Sequence, residues 1–242
     1  MRHLLIPGAL FVVLSVLGEL VVASVDVYPL NPGMAHEAVV SDDALRLLFS
    51  LAVPVGAFTL AALLYGIWTF RRRGEPGEDG PPIRGGRAVT GLWLAVTGAL
   101  TLVVIINPGL SGLAAMAQSG DADLVVGVSA QRWSFAVSYP QHGVTGAKEM
   151  VLPVNKRVKL ELTAVDVVHG FWIPAFRIKK DAVPGLTTVL YVTPTQLGTY
   201  ESNVNLRVQC TQLCGLAHST MSMPVRVVTE AEFQSWLARN RG

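Results

Sequence analysis

Charge is scarce in this chain. Only 15% of its 242 residues are Asp, Glu, Lys or Arg, and the net charge is +2. No basic patch interleaves with aromatics, so nothing here resembles the footprint of a nucleic-acid-binding domain. Cysteine is rarer still, with two residues, which allow at most one disulfide. No Ser/His/Asp set and no paired carboxylates occur, so a protease or hydrolase reading has no support. No internal repeat is visible. What the chain has instead is apolar residues, at 51%, too many for an ordinary soluble domain and concentrated before residue 120. A membrane part followed by a soluble part is expected.

Leu4 to Gly18 is an uncharged apolar run that continues past Glu19 to Val25. Residues 1–25 are either a first transmembrane helix or a cleaved signal peptide with Val21-Val22-Ala23 at its small-residue site. Residues 25–44 carry Pro29, Pro32 and Gly33 and are expected as an outer loop. Leu47–Phe70 is uncharged throughout and predicts a membrane helix that tolerates Pro54. The breaker- and arginine-rich stretch Arg71–Arg87 places the following loop inside by the positive-inside rule. Ala88–Ile106 is the next helix, ending near Asn107-Pro108-Gly109. The helical hairpin thus occupies residues 45–118, and everything after about residue 110 lies outside.

From Asp121 the pattern changes to short alternating runs punctuated by Pro and Gly. Strands are expected at Leu124–Val128, Trp133–Tyr139, Val151–Val154, Val158–Leu162, Thr187–Val192, Thr199–Val204 and Met223–Val228. That spacing predicts an antiparallel sandwich or barrel over residues 121–242. Thr229 with Glu232 is a capping box opening a final helix, with Phe233, Trp236 and Leu237 on the packing face.

The chemistry concentrates in VQCTQLCGLAHSTMSM, Val208–Met223. Cys210, Cys214, His218 and Met221 sit four, four and three residues apart. Thiolates and a thioether suit soft or borderline metals, and Met alongside Cys and His tilts the choice from zinc towards copper. On an extended strand the two cysteines would stand about 13 Å apart, so the set converges only on a loop or helical turn. A plain disulfide would leave His218, Met221 and a further candidate, His169, unexplained. Asp166, three residues before His169, is either its orienting partner or an ordinary surface carboxylate.

The residues from Val165 to Leu237 resemble subunit II of the haem–copper respiratory oxidases (cytochrome c oxidase subunit 2). The matching segments are DVVHGFWIP (Asp166–Pro174), KKDAVPG (Lys179–Gly185), GTY (Gly198–Tyr200) and CTQLCGLAHSTM (Cys210–Met221). With the hairpin the likeness covers about residues 45–240. It implies a membrane-α plus all-β fold: helices followed by a cupredoxin-like, extracytoplasmic CuA domain. It further implies two copper ions bridged by Cys210 and Cys214 and capped by His169 and His218, with Met221 and the Gln212 carbonyl as weak ligands. QRWSFAVSYP, Gln131–Pro140, aligns Trp133 with the family's electron-inlet tryptophan, the alternative being a core Trp, and puts Phe135 in place of a second Trp. Gln212 stands where the family often has Glu, and a neutral amide is a poor hard-cation ligand, so a Mg or Mn ion shared with subunit I is not expected. Thr90 stands where many members carry a proton-channel Glu.

The function implied is the electron-accepting subunit of a terminal oxidase in the plasma (inner) membrane. It takes electrons from cytochrome c or a small copper protein and passes them to a haem-bearing subunit I. The chain is not catalytic alone, having no haem ligands in its membrane helices. Two other readings stand beside it: the CuA subunit of a nitric oxide reductase-type complex, and a membrane-anchored copper-binding or chaperone domain.

Overall fold

A computed structural model of the chain describes residues 2–25, 33–71, 74, 85–116 and 120–241. Most of the arginine-rich loop and residues 26–32 of the first loop lie outside the described residues. The chain divides into two compact units, Met1–Pro29 with Asp43–Leu113, and Leu30–Asp42 with Ala114–Gly242.

The first unit is helical. Helix α1 spans Arg2–Ser24, α2 spans His36–Phe70 and α3 spans Arg87–Val104. Three segments, His3–Ser24, His36–Phe70 and Arg87–Met116, are long and apolar enough to cross a membrane. Their Leu, Val, Ile and Phe side chains stand on the surface, as a lipid-facing helix requires. Pro54 sits inside α2 without ending it. The third segment does not stop at Asn107. The chain kinks there (φ −139°, ψ 116°) and resumes as α4, Ser111–Met116, because a residue before proline is driven out of the α region.

The second unit is a two-sheet sandwich. One sheet has the order β3-β2-β1-β5-β8 and the other β4-β10-β9-β6-β7. The strands are β1 Leu124–Gln131, β2 Ser134–Tyr139, β3 Val144–Ala147, β4 Met150–Pro153 and β5 Val158–Ala164. They continue as β6 His169–Ile173, β7 Ile178–Ala182, β8 Thr188–Val192, β9 Arg207–Cys210 and β10 Ser222–Val228. Alternation fills the core: Leu124, Val126, Val128 and Ala130 of β1 face inward with Val158, Leu160, Leu162 and Ala164 of β5. Helix α5, Glu230–Asn240, opens on the expected capping box at Thr229 and Glu232. It packs Phe233, Trp236 and Leu237 inward, with Trp236 edge-on to Tyr139 at 5.1 Å. The Tyr139 hydroxyl donates to the Val151 carbonyl and accepts from its N–H, both at 2.8 Å. Burial pushes its pKa up.

Several expectations need correction. The sheets are mixed, since β1 runs parallel to β5 and β4 parallel to β10. Strands β3, β6, β7 and β9 were not anticipated. Residues 171–173 of β6 include two inward positions flanking a half-buried Trp172, and His169 and Gly170 are buried too, so little alternation marks this strand. Thr199–Val204 is no strand: the Ser202 hydroxyl accepts from Thr199 N–H and donates to its carbonyl, a local arrangement that competes with a ladder. Residues 36–44 are helix, not loop. This stretch joins the β unit through Met34 N–H to the Ala175 carbonyl (2.8 Å), His36 N–H to the Thr193 carbonyl (3.0 Å) and Arg177 Nε to Asp42 Oδ1 (3.0 Å).

Candidate metal centre

The centre is built by the pairing of β6 with β9. Phe171 lies opposite Cys210, which brings His169, at the first position of β6, alongside a cysteine 41 residues later in the chain. Gly170 permits that approach, because a side chain there would collide with Thr211. Thr211 N–H donates to the Gly170 carbonyl at 3.2 Å. The loop 211–221 then folds back on itself. Cys210 N–H donates to the Met221 carbonyl at 3.0 Å, and His218 N–H to that of Gly215 at 3.2 Å. Gly215 makes the turn with φ +122°, a conformation that favours glycine.

The side chains converge. Cys210 Sγ and Cys214 Sγ are 3.8 Å apart, and both thiols are free; a disulfide holds its sulfurs about 2 Å apart. His169 Nδ1 lies 3.8 Å from Cys210 Sγ and His218 Nδ1 3.6 Å from Cys214 Sγ. Met221 Sδ is 3.8 Å from Cys214 Sγ, and the Gln212 carbonyl oxygen 3.3 Å from Cys210 Sγ. All six groups singled out in the sequence therefore meet at one place. His169 is fully buried and Met221 is 1% exposed. Burial, reinforced by the neighbouring Cys210 thiol, pushes the Cys214 thiol up to about 11. Buried soft donors with unbonded sulfurs fit a copper-type metal and give no sign of a structural disulfide.

Around the donors lies a frame that sequence spacing left open. His169 Nε2 donates to Asp166 Oδ1 at 2.9 Å. Asp166 Oδ2 accepts from both the backbone N–H and Nε of Arg132, each at 2.9 Å. The hydrogen bond from His169, followed by those from Arg132, holds the Asp166 carboxyl well below the usual carboxylate range. Asp166 is thus the histidine's partner rather than an unengaged surface acid. Arg132 and Asp181 carried no signal of their own in the sequence. The Gln212 amide nitrogen donates to both oxygens of Asp181 at 3.2 Å, so position 212 presents a donor where a cation site needs an acceptor. Trp133 is not a core residue. It is 42% exposed, and its ring lies where a side chain on Gly215 would come within 3.3 Å of Cζ2 and Nε1. Phe135 is the buried member of the pair, edge-on to Phe171 at 6.4 Å.

Residues 138–228 match the family model described as "Cytochrome C oxidase subunit II, periplasmic domain". The chain belongs to the cytochrome c oxidase subunit II family. It is 27% identical over 259 residues to the cytochrome c oxidase subunit 2 of Thermostichus vulcanus, covering 86% of this chain and 77% of the relative. The subunit 2 of Cereibacter sphaeroides is 27% identical over 228 residues, covering 76% and 71%. The crystal structure of the periplasmic domain of subunit II from Bradyrhizobium japonicum is 30% identical, covering 51% of this chain and 96% of that one, with a TM-score of 0.46. This subunit II is accordingly a membrane protein with an extracytoplasmic C-terminal cupredoxin-like domain. As a member of that family it is one component of an oxidoreductase assembly.

Proposed function

We propose that this subunit II is the electron inlet of a terminal oxidase in the plasma (inner) membrane and holds a dinuclear copper centre. Cys210 and Cys214 would bridge the two ions, His169 and His218 would each bind one through Nδ1, and Met221 and the Gln212 carbonyl would be the weak ligands. When bound, such a centre supplies a one-electron site whose charge is shared between two metals. Cytochrome c or a small copper protein is the donor and haem in subunit I the acceptor.

The chain's own residues prepare that role. The Nε2 hydrogen bond to Asp166 leaves the Nδ1 lone pair of His169 facing the sulfurs, as an orienting carboxylate does at metal sites generally. One sheet holds β6 and β9 side by side, so the donors need little movement to bind. Trp133, half-exposed and packed on Gly215 beside Cys214, offers an aromatic path from solvent to the sulfurs. Burial of His169 and Met221 speaks against a chaperone, which must expose its ligands to hand metal on.

The observation that carries this reading is the meeting of six donor groups, two of them the unbonded cysteine sulfurs. Metal analysis and EPR of the full-length subunit in its complex test it. Two copper ions per chain and a hyperfine pattern from one electron shared by two copper nuclei are expected. One copper per chain, or a native Cys210–Cys214 disulfide, would overturn it. The identity of the co-purifying large subunit separates an oxygen-reducing from a nitric-oxide-reducing partner.

A further inference from the structure

The loops that carry the metal donors also carry apolar side chains that project into solvent. Leu213 and Leu216, flanking Cys214, are 85% and 96% exposed. Trp133 in the β1–β2 turn, Val165 and Val168 before β6, and Leu186 before β8 are exposed at the same end of the sandwich. That common end follows from the pairing of His169 with Ala182 and the bridge between Ala164 and Pro184. Single exposed leucines need no explanation, but a contiguous group rimming a functional site marks an interaction surface.

The same rim is electrically quiet. Residues 131–133, 165–168, 183–187 and 211–221 contain one arginine and one aspartate, and these two, Arg132 and Asp166, are paired at 2.9 Å. Asp181, just behind, is engaged by the Gln212 amide. The next cations, Lys179 and Lys180, lie down β7 opposite Trp172 and Phe171. A partner ringed with lysines would find no free carboxylate here and would have to strip water from its charges against leucines. A partner whose own contact ring is uncharged and apolar meets a matching surface. Transient redox encounters are small interfaces, and a half-dozen apolar side chains is of that scale.

Resting on the functional reading above, we propose that the electron donor docks on this rim through an uncharged, apolar collar around its exposed cofactor edge, centred on Leu216 and Trp133. Hydrophobic contact, not charge steering, selects the donor.

The test is stopped-flow reduction of the intact, metal-loaded complex by two reduced c-type cytochromes, one with an apolar haem edge and one with a lysine-ringed edge. The apolar-edged protein should react faster, with a second-order rate constant that changes less than about twofold between low salt and about 0.2 M salt. Leu216→Ser should slow it by roughly tenfold at unchanged copper content and spectrum. The proposal falls if the lysine-ringed protein is faster and loses more than about tenfold with salt. It falls equally if Leu216→Ser leaves the rate unchanged, or if that variant loses its large subunit, which would place the loop against a neighbour in the membrane complex. A complex without copper would overturn the functional reading and this proposal together; copper present with a salt-steep rate overturns this proposal alone.

Discussion

Asp166 and His169 are joined through a 2.9 Å hydrogen bond from Nε2 to Oδ1, and the opposite oxygen of Asp166 holds Arg132. One carboxylate therefore ties an imidazole that faces the sulfurs to the turn that carries Trp133. Loss of that carboxylate should loosen His169 more than it unfolds the domain. Asp166→Ala is expected to weaken copper retention roughly 10- to 100-fold, read by competition with a chelator. Arg132→Ala removes a half-exposed ion pair worth about 0–1 kcal/mol and should leave copper retention nearly unchanged.

The two thiols and the thioether are not equivalent. Cys214→Ser removes one of the two sulfurs proposed to be shared by the metals and should abolish the shared-electron EPR pattern. Met221→Leu keeps volume at a buried position, where such swaps usually cost under about 1.5 kcal/mol. It should alter the spectrum and potential more than the copper count. Metal analysis beside EPR on both variants checks the distinction.

Gly215 holds φ +122° with the Trp133 ring against it. Gly215→Ala places a side chain in that gap and in a strained backbone region, a combination expected to cost about 1–3 kcal/mol. Thermal denaturation should show the loss, and tryptophan fluorescence the displacement of Trp133. A variant with the parent's stability and emission would refute the contact.

The metal-free protein should weaken in alkali. Cys214 is raised from 9.0 to about 11 by burial, so the unfolded thiol ionises first. Its contribution is complete below about pH 9 and is lost as pH climbs through about 11. Denaturant unfolding of the metal-free chain over that window should fall more steeply than that of Cys214→Ser. Copper uptake should strengthen with rising pH, because binding releases the thiol protons.

The terminal helix offers a test of the packing alone. Trp236→Ala opens a large cavity beside Tyr139 and should destabilise by about 3–5 kcal/mol. Thr229→Ala, which removes one half of the capping box, should cost about 1 kcal/mol. Neither should change the copper spectrum.

Long apolar runs were legible because composition alone sets them apart, and α1 and α3 begin within two residues of where the runs do. The start of α2 was not legible. Residues 36–44 are polar enough to look like a loop, and their helix is stabilised by bonds to residues 177 and 193 far along the chain. Strands β1, β5 and β10 alternate cleanly and were found. Strand β6 was missed because its largely buried faces erase the alternation. Parallel pairing of β1 with β5 was invisible for another reason: direction depends on how the intervening chain crosses, not on either strand's residues.

The candidate donors Cys210, Cys214, His218 and Met221 could be picked out by sequence alone, since softness belongs to the atoms of Cys, His and Met wherever they sit. Only tertiary structure decided that His169 turns Nδ1 to the sulfurs, that Asp166 holds its other nitrogen, that Trp133 rests on Gly215 and that Leu216 faces water. Those are relations across a sheet and between loops. They arise because β6 and β9 pair, which packing of the whole sandwich enforces and no local spacing encodes.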